Sequence, residues 1–495
     1  MISGTNTGSE LLLELDRTAR RPLRAQLEDE LREAVRSGRL RAQARLPASR
    51  VLAFDLGVSR RLVVDAYAQL LAEGYLVARP GAGTYVADAA AAASAPTVES
   101  PARTLAFDFF PGYPDLASFP RRAWLRAMRE TLMSTPHGSL GYPDPRGALE
   151  LRRALAGHLR RVRGVVADPQ AIVICSGAAQ GLALLARALG KPHVAMEDPG
   201  LPQHHAILAA HGARLSALAV DARGARVEEL DTLAAQHGAL DAVFVTPAHQ
   251  SPTGVALAPE RRAALLDWAR DSGGLVIEDD YDAEYRYDRA PLAALQGLAP
   301  DRVIYLGTAS KTLAPALRLG WLVLPGDLVG RVAAERMLAD HGAPTLEQLT
   351  LARLIDGGAY DRHLRQARRR YRARRDALVA AVSRHLPDAE VTGLAAGLHA
   401  VVRLRREFDA ATMMLTARRQ SVGVYPLGYL YMKPRPGDDG LVLGYANLTE
   451  SGIEEGIRRL ALALAQCAGA QAAVSAERAA LPGRGFANDG GAIAR

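Results

Sequence analysis

Hydrophobic and polar positions change period twice in the first ninety residues. Leu23, Leu27, Leu31 and Val35 recur at helical spacing, giving one apolar stripe, and Gly38 follows the last turn as a stop. A second short helix is expected from Pro47, because proline suits a first turn; it carries Val51, Leu52 and Leu56 and breaks at Gly57. Ser59 is a good N-cap for a third helix, with Leu62, Val63, Ala66, Leu70 and Leu71 facing inward and an end at Gly74. The pattern then becomes that of extended chain. Residues 75–78 and 84–86 are expected as two strands around the tip Arg79-Pro80-Gly81-Ala82-Gly83. Helices around a tight glycine turn, followed by a hairpin, describe a winged helix-turn-helix.

Beyond residue 105 the pattern is different. Short apolar runs alternate with helical stretches, the signature of an α/β domain with a mostly parallel sheet. The clearest strands are Ala171-Ile172-Val173-Ile174, Ala242-Val243-Phe244-Val245, Leu275-Val276-Ile277 and Val303-Ile304-Tyr305-Leu306. Each runs directly into a loop of polar or small residues, where ligands of open α/β sheets sit. The expected organisation is a winged module at 12–88, a linker at 89–104, the α/β domain at 105–466 and a Gly/Ala-rich disordered tail at 467–495. The linker is rich in Ala, Ser and Pro. If flexible it spans roughly 20–25 Å, and an Ala-rich helix of similar reach is the alternative. There is no internal repeat.

Composition adds limits. At 495 residues, with 49% hydrophobic and 23% charged positions, the sequence describes a soluble protein of two or more domains. No apolar run approaches the ~20 residues that cross a bilayer, and the N-terminus lacks a secretory pattern. The expectation is a cytoplasmic protein without a membrane partner. Its two cysteines, Cys175 and Cys467, exclude a disulfide framework and a multi-Cys zinc centre, so no metal is expected. The net charge of +8 is concentrated at the front, where arginines between Arg17 and Arg79 outnumber the acids. That placement suits double-stranded DNA. Arg60 and Arg61, at the start of the third helix, lie where a recognition helix meets base edges or phosphates, and a Gly-rich wing tip allows close approach to the backbone.

Lysine is rare: only Lys191, Lys311 and Lys433 occur in a chain full of arginine. Arginine stays protonated, whereas a buried lysine can lose its proton and condense with a carbonyl. Lys311 stands beside Ser310, three residues after Thr308 and seven before Arg318, groups suited to an anion. Gly177, Ala178 and Ala179 follow another strand and open a helix, where backbone N–H groups approach a phosphate. In Glu278-Asp279-Asp280-Tyr281 a carboxylate could keep a pyridine nitrogen protonated, and a phenol could donate to a ring hydroxyl. His249 to Gly254 supplies a rigid turn. Together these strand-end loops read as a pyridoxal 5'-phosphate site.

The run from Leu46-Pro47-Ala48-Ser49-Arg50 to Gly81-Ala82-Gly83-Thr84-Tyr85-Val86 closely resembles the DNA-binding domain of GntR-type regulators, which implies DNA contacts from Arg50, Ser59, Arg60 and Arg61 and from Gly81, Gly83 and Thr84 of the wing. The phrases 249–254, 278–281 and 310–321 resemble fold-type I aminotransferases of class I/II, in the wording of MocR-type regulators, which pair the two halves. The resemblance covers about residues 20–465. It implies that Lys311 forms the aldimine with the cofactor, Asp279 partners the ring nitrogen and Tyr281 contacts the ring hydroxyl. Ala178, Thr308, Ser310 and Arg318 would lie near the phosphate. Tyr142, in Gly141-Tyr142-Pro143-Asp144-Pro145, matches a tyrosine that reaches the phosphate of the neighbouring subunit, which implies a homodimer.

Two positions depart from the family. Leu201 stands where an aromatic usually stacks on the ring, with His204 and His205 nearby as substitutes. Gly440 stands at about the place of an arginine that grips a substrate carboxylate. The leading expectation is therefore a transcriptional regulator sensing the cofactor itself, an amine or an amino acid through Lys311. The alternative is a working aminotransferase with a vestigial DNA-binding domain.

Overall fold

Two units make up the chain, residues 1–103 and 104–495. The computed structural model describes residues 15–87 and 105–480, apart from residues 18, 20, 37–38, 288–291, 406–407 and 436–439. Gly38, the linker at 89–104, the outermost residues of the expected winged module (12–14 and 88) and residues 481–495 lie outside the described residues.

The first unit carries helices Leu23–Arg36, Ser49–Asp55 and Arg60–Ala72, then strands Leu76–Arg79 and Gly83–Val86 paired antiparallel. Leu27, Leu31, Val35, Leu52, Val63, Ala66 and Leu70 form the core, closed by Leu76 and Val86 of the wing. Burying each large aliphatic among them contributes roughly 1.5–3 kcal/mol. The second helix starts two residues later than Pro47 suggested. Ala48 is still extended (φ −58°, ψ 142°), and the Pro47 carbonyl accepts the Tyr67 hydroxyl at 3.0 Å, which holds it outside the helix. The third helix begins as expected: Ser59 Oγ accepts the Leu62 N–H at 3.3 Å. Arg32 of the first helix reaches Glu73, just past the third, through two bonds of 2.7 and 2.8 Å.

The second unit is built on an eight-stranded sheet. Its order is Ile172–Cys175, Gly320–Val323, Val303–Thr308, Leu275–Asp279, Ala242–Val245, His193–Asp198, Arg214–Asp221 and Gly224–Ala225. Gly320–Val323 runs antiparallel to both neighbours, so Ile172–Cys175 points the same way as Val303–Thr308. The run from Val303–Thr308 through Arg214–Asp221 is parallel. Five strands of the first six therefore end at one edge. Ile172–Cys175, Ala242–Val245 and Val303–Thr308 are buried at every position. That is why they read as unbroken apolar runs: helices cover both faces of a parallel sheet.

A second, antiparallel sheet was not foreseen. It comprises Glu390–Thr392, His399–Arg403, Gly440–Gly444 and Tyr425–Pro426, in that order. The 27-residue helix Ala359–His385 leads into it. Near the start of the unit, Phe107–Asp108 pairs with Val422–Gly423. The expected tail needs correction, because the last helix runs Glu450–Ala480 and takes in residues 467–480. Gly/Ala-rich composition pointed to disorder, yet alanine has the highest helix propensity of all residues.

Candidate functional site

The shared strand edge gathers the candidate residues. Lys311 lies just beyond Val303–Thr308, and a Cβ added at Gly112 would stand 3.3 Å from its Nζ. Gly112 is 199 residues away in sequence; its lack of a side chain is what leaves room for the amine. Burial lowers the Lys311 pKa, opposed by the negative charges of Asp282 and Asp279.

The acidic run at the end of Leu275–Asp279 separates into distinct environments. Glu278 is tied to the backbone, accepting the N–H groups of Leu295 and Gln296 at 2.9 and 3.0 Å. Asp280 faces a buried guanidinium: Arg163 reaches it at 2.6 and 3.1 Å, and the Tyr305 hydroxyl donates at 2.7 Å. Asp279 has no such partner among the described residues. Its Oδ1 is buried without a hydrogen bond, and its Oδ2 is 3.9 Å from His204 Nδ1. Burial, and then the neighbouring Asp280 carboxylate, push the Asp279 carboxyl up to about 8. Burial likewise brings His204 down to about 4, so its imidazole is neutral near pH 7. An unpaired buried carboxylate is costly, and a cation placed at Oδ1 would restore its charged form.

Tyr281, also buried, brings its hydroxyl within 3.0 Å of His249 Nδ1, which lies 2.9 Å from Asp282 Oδ2. Burial opposes protonation of His249, but Asp282 wins and holds its pKa above the ordinary value.

A second group of residues frames a small concave turn. Gly177 has φ +81°, a conformation that L side chains rarely adopt, and a Cβ there would come within 3.1 Å of the Arg318 guanidinium. Arg318, itself at φ +49°, donates from Nη2 to the Ser176 carbonyl at 2.6 Å. Ala178 and Ala179 begin the helix Ala178–Ala188, so its positive end opens on this turn. Thr308 Oγ1 accepts the Ser310 N–H at 3.1 Å and lies 3.0 Å from Ser310 Oγ.

Tyr142 and the two positions that depart from the family, Leu201 and Gly440, have distinct surroundings. Tyr142 is 91% exposed, and its ring packs on His341 at 5.8 Å. Those rings lie in a cleft of about 390 Å³ between residues 139–143 and 340–346. Leu201 lines a void of about 10 Å³ with His204, His205 and Phe244. Gly440 is a buried strand residue opposite Arg403. Sequence reasoning missed Gly112, Arg163 and Asp282. The first two lie more than a hundred residues from their partners and carry no local signal. Asp282 stood next to a singled-out tyrosine and was within reach.

In the winged unit Arg50, Ser59, Arg60 and Arg61 are exposed, Arg61 at 91% with Asp65 3.8 Å away. The Ser59 hydroxyl is occupied as a helix cap. Gly81 and Gly83 have φ +75° and +116°, and Thr84 is half-buried. Arg79 lies over the Tyr85 ring at 4.6 Å, and the Arg45 side chain packs over Gly83, two cations beside the wing that sequence reasoning passed over.

The family model of bacterial regulatory proteins, gntR family, matches residues 23–86, and that of aminotransferase class I and II matches residues 112–460. The probable rhizopine catabolism regulatory protein MocR of Rhizobium meliloti is 35% identical, over 91% of this chain and 95% of its own length. The HTH-type pyridoxine biosynthesis transcriptional regulator PdxR of Corynebacterium glutamicum is also 35% identical, over 86% and 92%. The chain belongs to the MocR-type regulators of the GntR family.

As a MocR-type chain it pairs a helix-turn-helix head with a fold-type I aminotransferase-like unit. Among solved structures, the multiple substrate aminotransferase from Thermococcus profundus matches with TM-score 0.68 and 26% identity, covering 74% of this chain and 92% of that one. The α-aminoadipate aminotransferase LysN from Thermus thermophilus, complexed with N-(5'-phosphopyridoxyl)-L-leucine, matches with TM-score 0.68 and 26% identity over 74% and 93%. Among the described residues no helix is long and apolar enough to cross a membrane, and no cluster of side chains could hold a metal ion.

Proposed function

We propose that this protein is a DNA-binding transcriptional regulator whose aminotransferase-like unit holds pyridoxal 5'-phosphate and senses the cofactor itself or a small amine. The observation that carries the reading is the buried Asp279 carboxylate with an Oδ1 that has no partner among the described residues, set at the same sheet edge as Lys311, the one lysine there that is not exposed. The residues fit the cofactor's chemistry. Asp279 would face a protonated ring nitrogen, Tyr281 the ring hydroxyl and Lys311 the aldehyde. The turn at Gly177, Ala178 and Ala179, with Thr308, Ser310 and Arg318, would hold the phosphate. When bound, the cofactor supplies an aldehyde that exchanges between amines and a ring that withdraws electrons. The chain's own part is to lower the Lys311 pKa by burial and to exclude water from the ring side of Asp279.

In this reading Tyr142, exposed in one chain, serves the phosphate of a second copy, so the working form is a homodimer. Arg50, Arg60 and Arg61 with the Gly81–Thr84 wing would contact double-stranded DNA, with Ser59 acting through the helix it caps. Only an effector that favours one of two conformations can change DNA binding. The test is a titration of purified protein with pyridoxal 5'-phosphate and candidate amines, following absorbance and binding to a selected duplex in parallel. The expected result is a cofactor spectrum that shifts with an amine, together with a change in DNA affinity. DNA affinity identical with and without cofactor would overturn the sensor reading. Rapid turnover of amino donors without DNA affinity would replace it with an aminotransferase.

A further inference from the structure

The helix Ala359–His385 carries nine arginines, and they divide cleanly into two sets. Five are engaged. Arg368 donates to the Glu284 carbonyl, Arg370 and Arg374 lie 3.6 and 3.1 Å from Asp115, Arg375 binds Asp376 and Arg384 binds Glu454. The other four, Arg362, Arg365, Arg369 and Arg372, are all exposed, and no carboxylate among the described residues lies within bridging distance of them. Their spacing of three, four and three residues puts them on one face of the helix.

The nearby acids are already spent. Asp361 takes Arg161 at 2.6 Å and faces His158 at 3.4 Å, and Asp376 takes Arg375 at 2.6 Å. The other exposed residues along this stretch, Gln366 and Ala373, add neither negative charge nor a large apolar anchor. A protein-binding surface would need such an anchor at its centre. Four uncompensated guanidinium groups in a row fit a different partner, a regularly spaced line of anions. From Arg362 to Arg372 the helix rises about 15 Å. A DNA duplex presents a dense, regular line of phosphates along its axis, so a row of cations about 15 Å long is matched by several of them.

We infer that Arg362, Arg365, Arg369 and Arg372 form a second, sequence-independent DNA-contacting surface, which grips the phosphate backbone of duplex flanking the site read by the winged head. The stripe adds affinity and length of footprint without adding base specificity. The inference rests on DNA binding by the head, and the experiment separates the two.

Full-length protein and the R362Q/R365Q/R369Q/R372Q variant are titrated against the tightest duplex recovered from a randomised library. Each is measured on the duplex trimmed to the minimal site and on one extended by natural-length flanks, over a range of salt. The cofactor spectrum of the variant serves as the check on its fold. On the extended duplex the variant is expected to bind at least tenfold more weakly, with a salt slope shallower by up to about 3.6, from four contacts at about 0.9 each. On the trimmed duplex the two proteins are expected to match. Equal affinity and slope on the extended duplex overturn the inference. So does an equal loss on both duplexes, which traces the effect to the head or the fold. DNA binding unchanged but a lost response in transcription with purified RNA polymerase would hand the stripe to an acidic protein partner. Failure of the wild-type protein to bind even the trimmed duplex would instead break the reading of the head.

Discussion

The winged unit and the strand-edge cluster handle charge in opposite ways. Around the third helix of the head, Arg50, Arg60 and Arg61 are exposed, and the nearest carboxylate to Arg61 is 3.8 Å away. Such charges cost little to keep and are screened by salt, so they are cheap, long-range and condition-dependent. At the sheet edge, Asp279, Asp280, Asp282 and Glu278 are all buried, and three of the four have defined partners. There the surroundings set which protonation state survives. One region should answer to ionic strength and the other to pH and to a ligand's charge.

The sharpest break with that comparison would come from Lys311→Ala. Without the amine, covalent retention of pyridoxal 5'-phosphate after borohydride reduction should vanish, while binding to a short duplex at low salt stays within about twofold of wild type. Mass spectrometry and a gel-shift titration read the two outcomes. Retained covalent cofactor in the variant would move the reactive amine to another residue and undo the strand-edge account.

Asp279→Asn comes next. Loss of a charged hydrogen bond to the ring nitrogen should weaken cofactor binding by roughly 10- to 100-fold, as expected for a bond to a charged group of about 1.5–3 kcal/mol. The same residue predicts a pH dependence. Its folded value is about 8 against an ordinary 3.8, so the folded state holds a proton that the unfolded state releases. The resulting stability is fully present below about pH 4 and is lost as pH rises through about 8. Burial likewise raises Glu197 to about 7, adding to the same trend. Buried His158, His204 and His399, all held near 4, work the other way up to about pH 6.5, so the cofactor-free protein should melt at progressively lower temperature from about pH 6.5 to 8. Asp279→Asn should flatten that slope, and so should the bound cofactor, whose ring cation favours the carboxylate. A melting temperature that rises over this interval, with and without the substitution, would contradict the burial argument.

Much of this is legible in the sequence alone. The head was read nearly element by element because its helices and hairpin each show their own period, and Ser59 marks a helix start through purely local chemistry. The buried strands announced themselves as apolar runs, and Lys311 stood out against an arginine background. What escaped was long-range. Arg163 lies 117 residues from Asp280, and nothing near either position signals the pair. The same holds for Gly112 beside Lys311. In the antiparallel sheet, Glu390–Thr392 and Tyr425–Pro426 have three and two residues, too short for a pattern to show, and glycine at both ends of Gly440–Gly444 hides a short apolar run.

Arginine substitutions in the head sharpen the other side of the comparison. Arg60→Ala should cost about 1–3 kcal/mol of binding if the side chain reads a base edge, with the loss confined to one position of the selected site. If it touches only phosphate, the loss should be uniform across sequences and the salt slope should fall by about 0.9. Arg61→Ala allows the same choice, since its distant pairing with Asp65 contributes little. Cofactor binding should be unchanged in both, measured at the same salt concentrations.

The smallest effect belongs to Ser59, which sits between charge and fold. Its hydroxyl accepts the Leu62 N–H at 3.3 Å and starts the helix that carries Arg60 and Arg61. Ser59→Ala removes that acceptor and should cost about 1 kcal/mol of stability in the head, whereas Ser59→Asp should retain the cap. Asp also places a negative charge beside the phosphates that Arg60 and Arg61 would meet, so it should recover melting temperature without recovering DNA affinity. Recovery of both by Asp would mean that the helix start lies away from the duplex. Recovery of neither would mean that the hydroxyl acts on DNA directly and not through the helix.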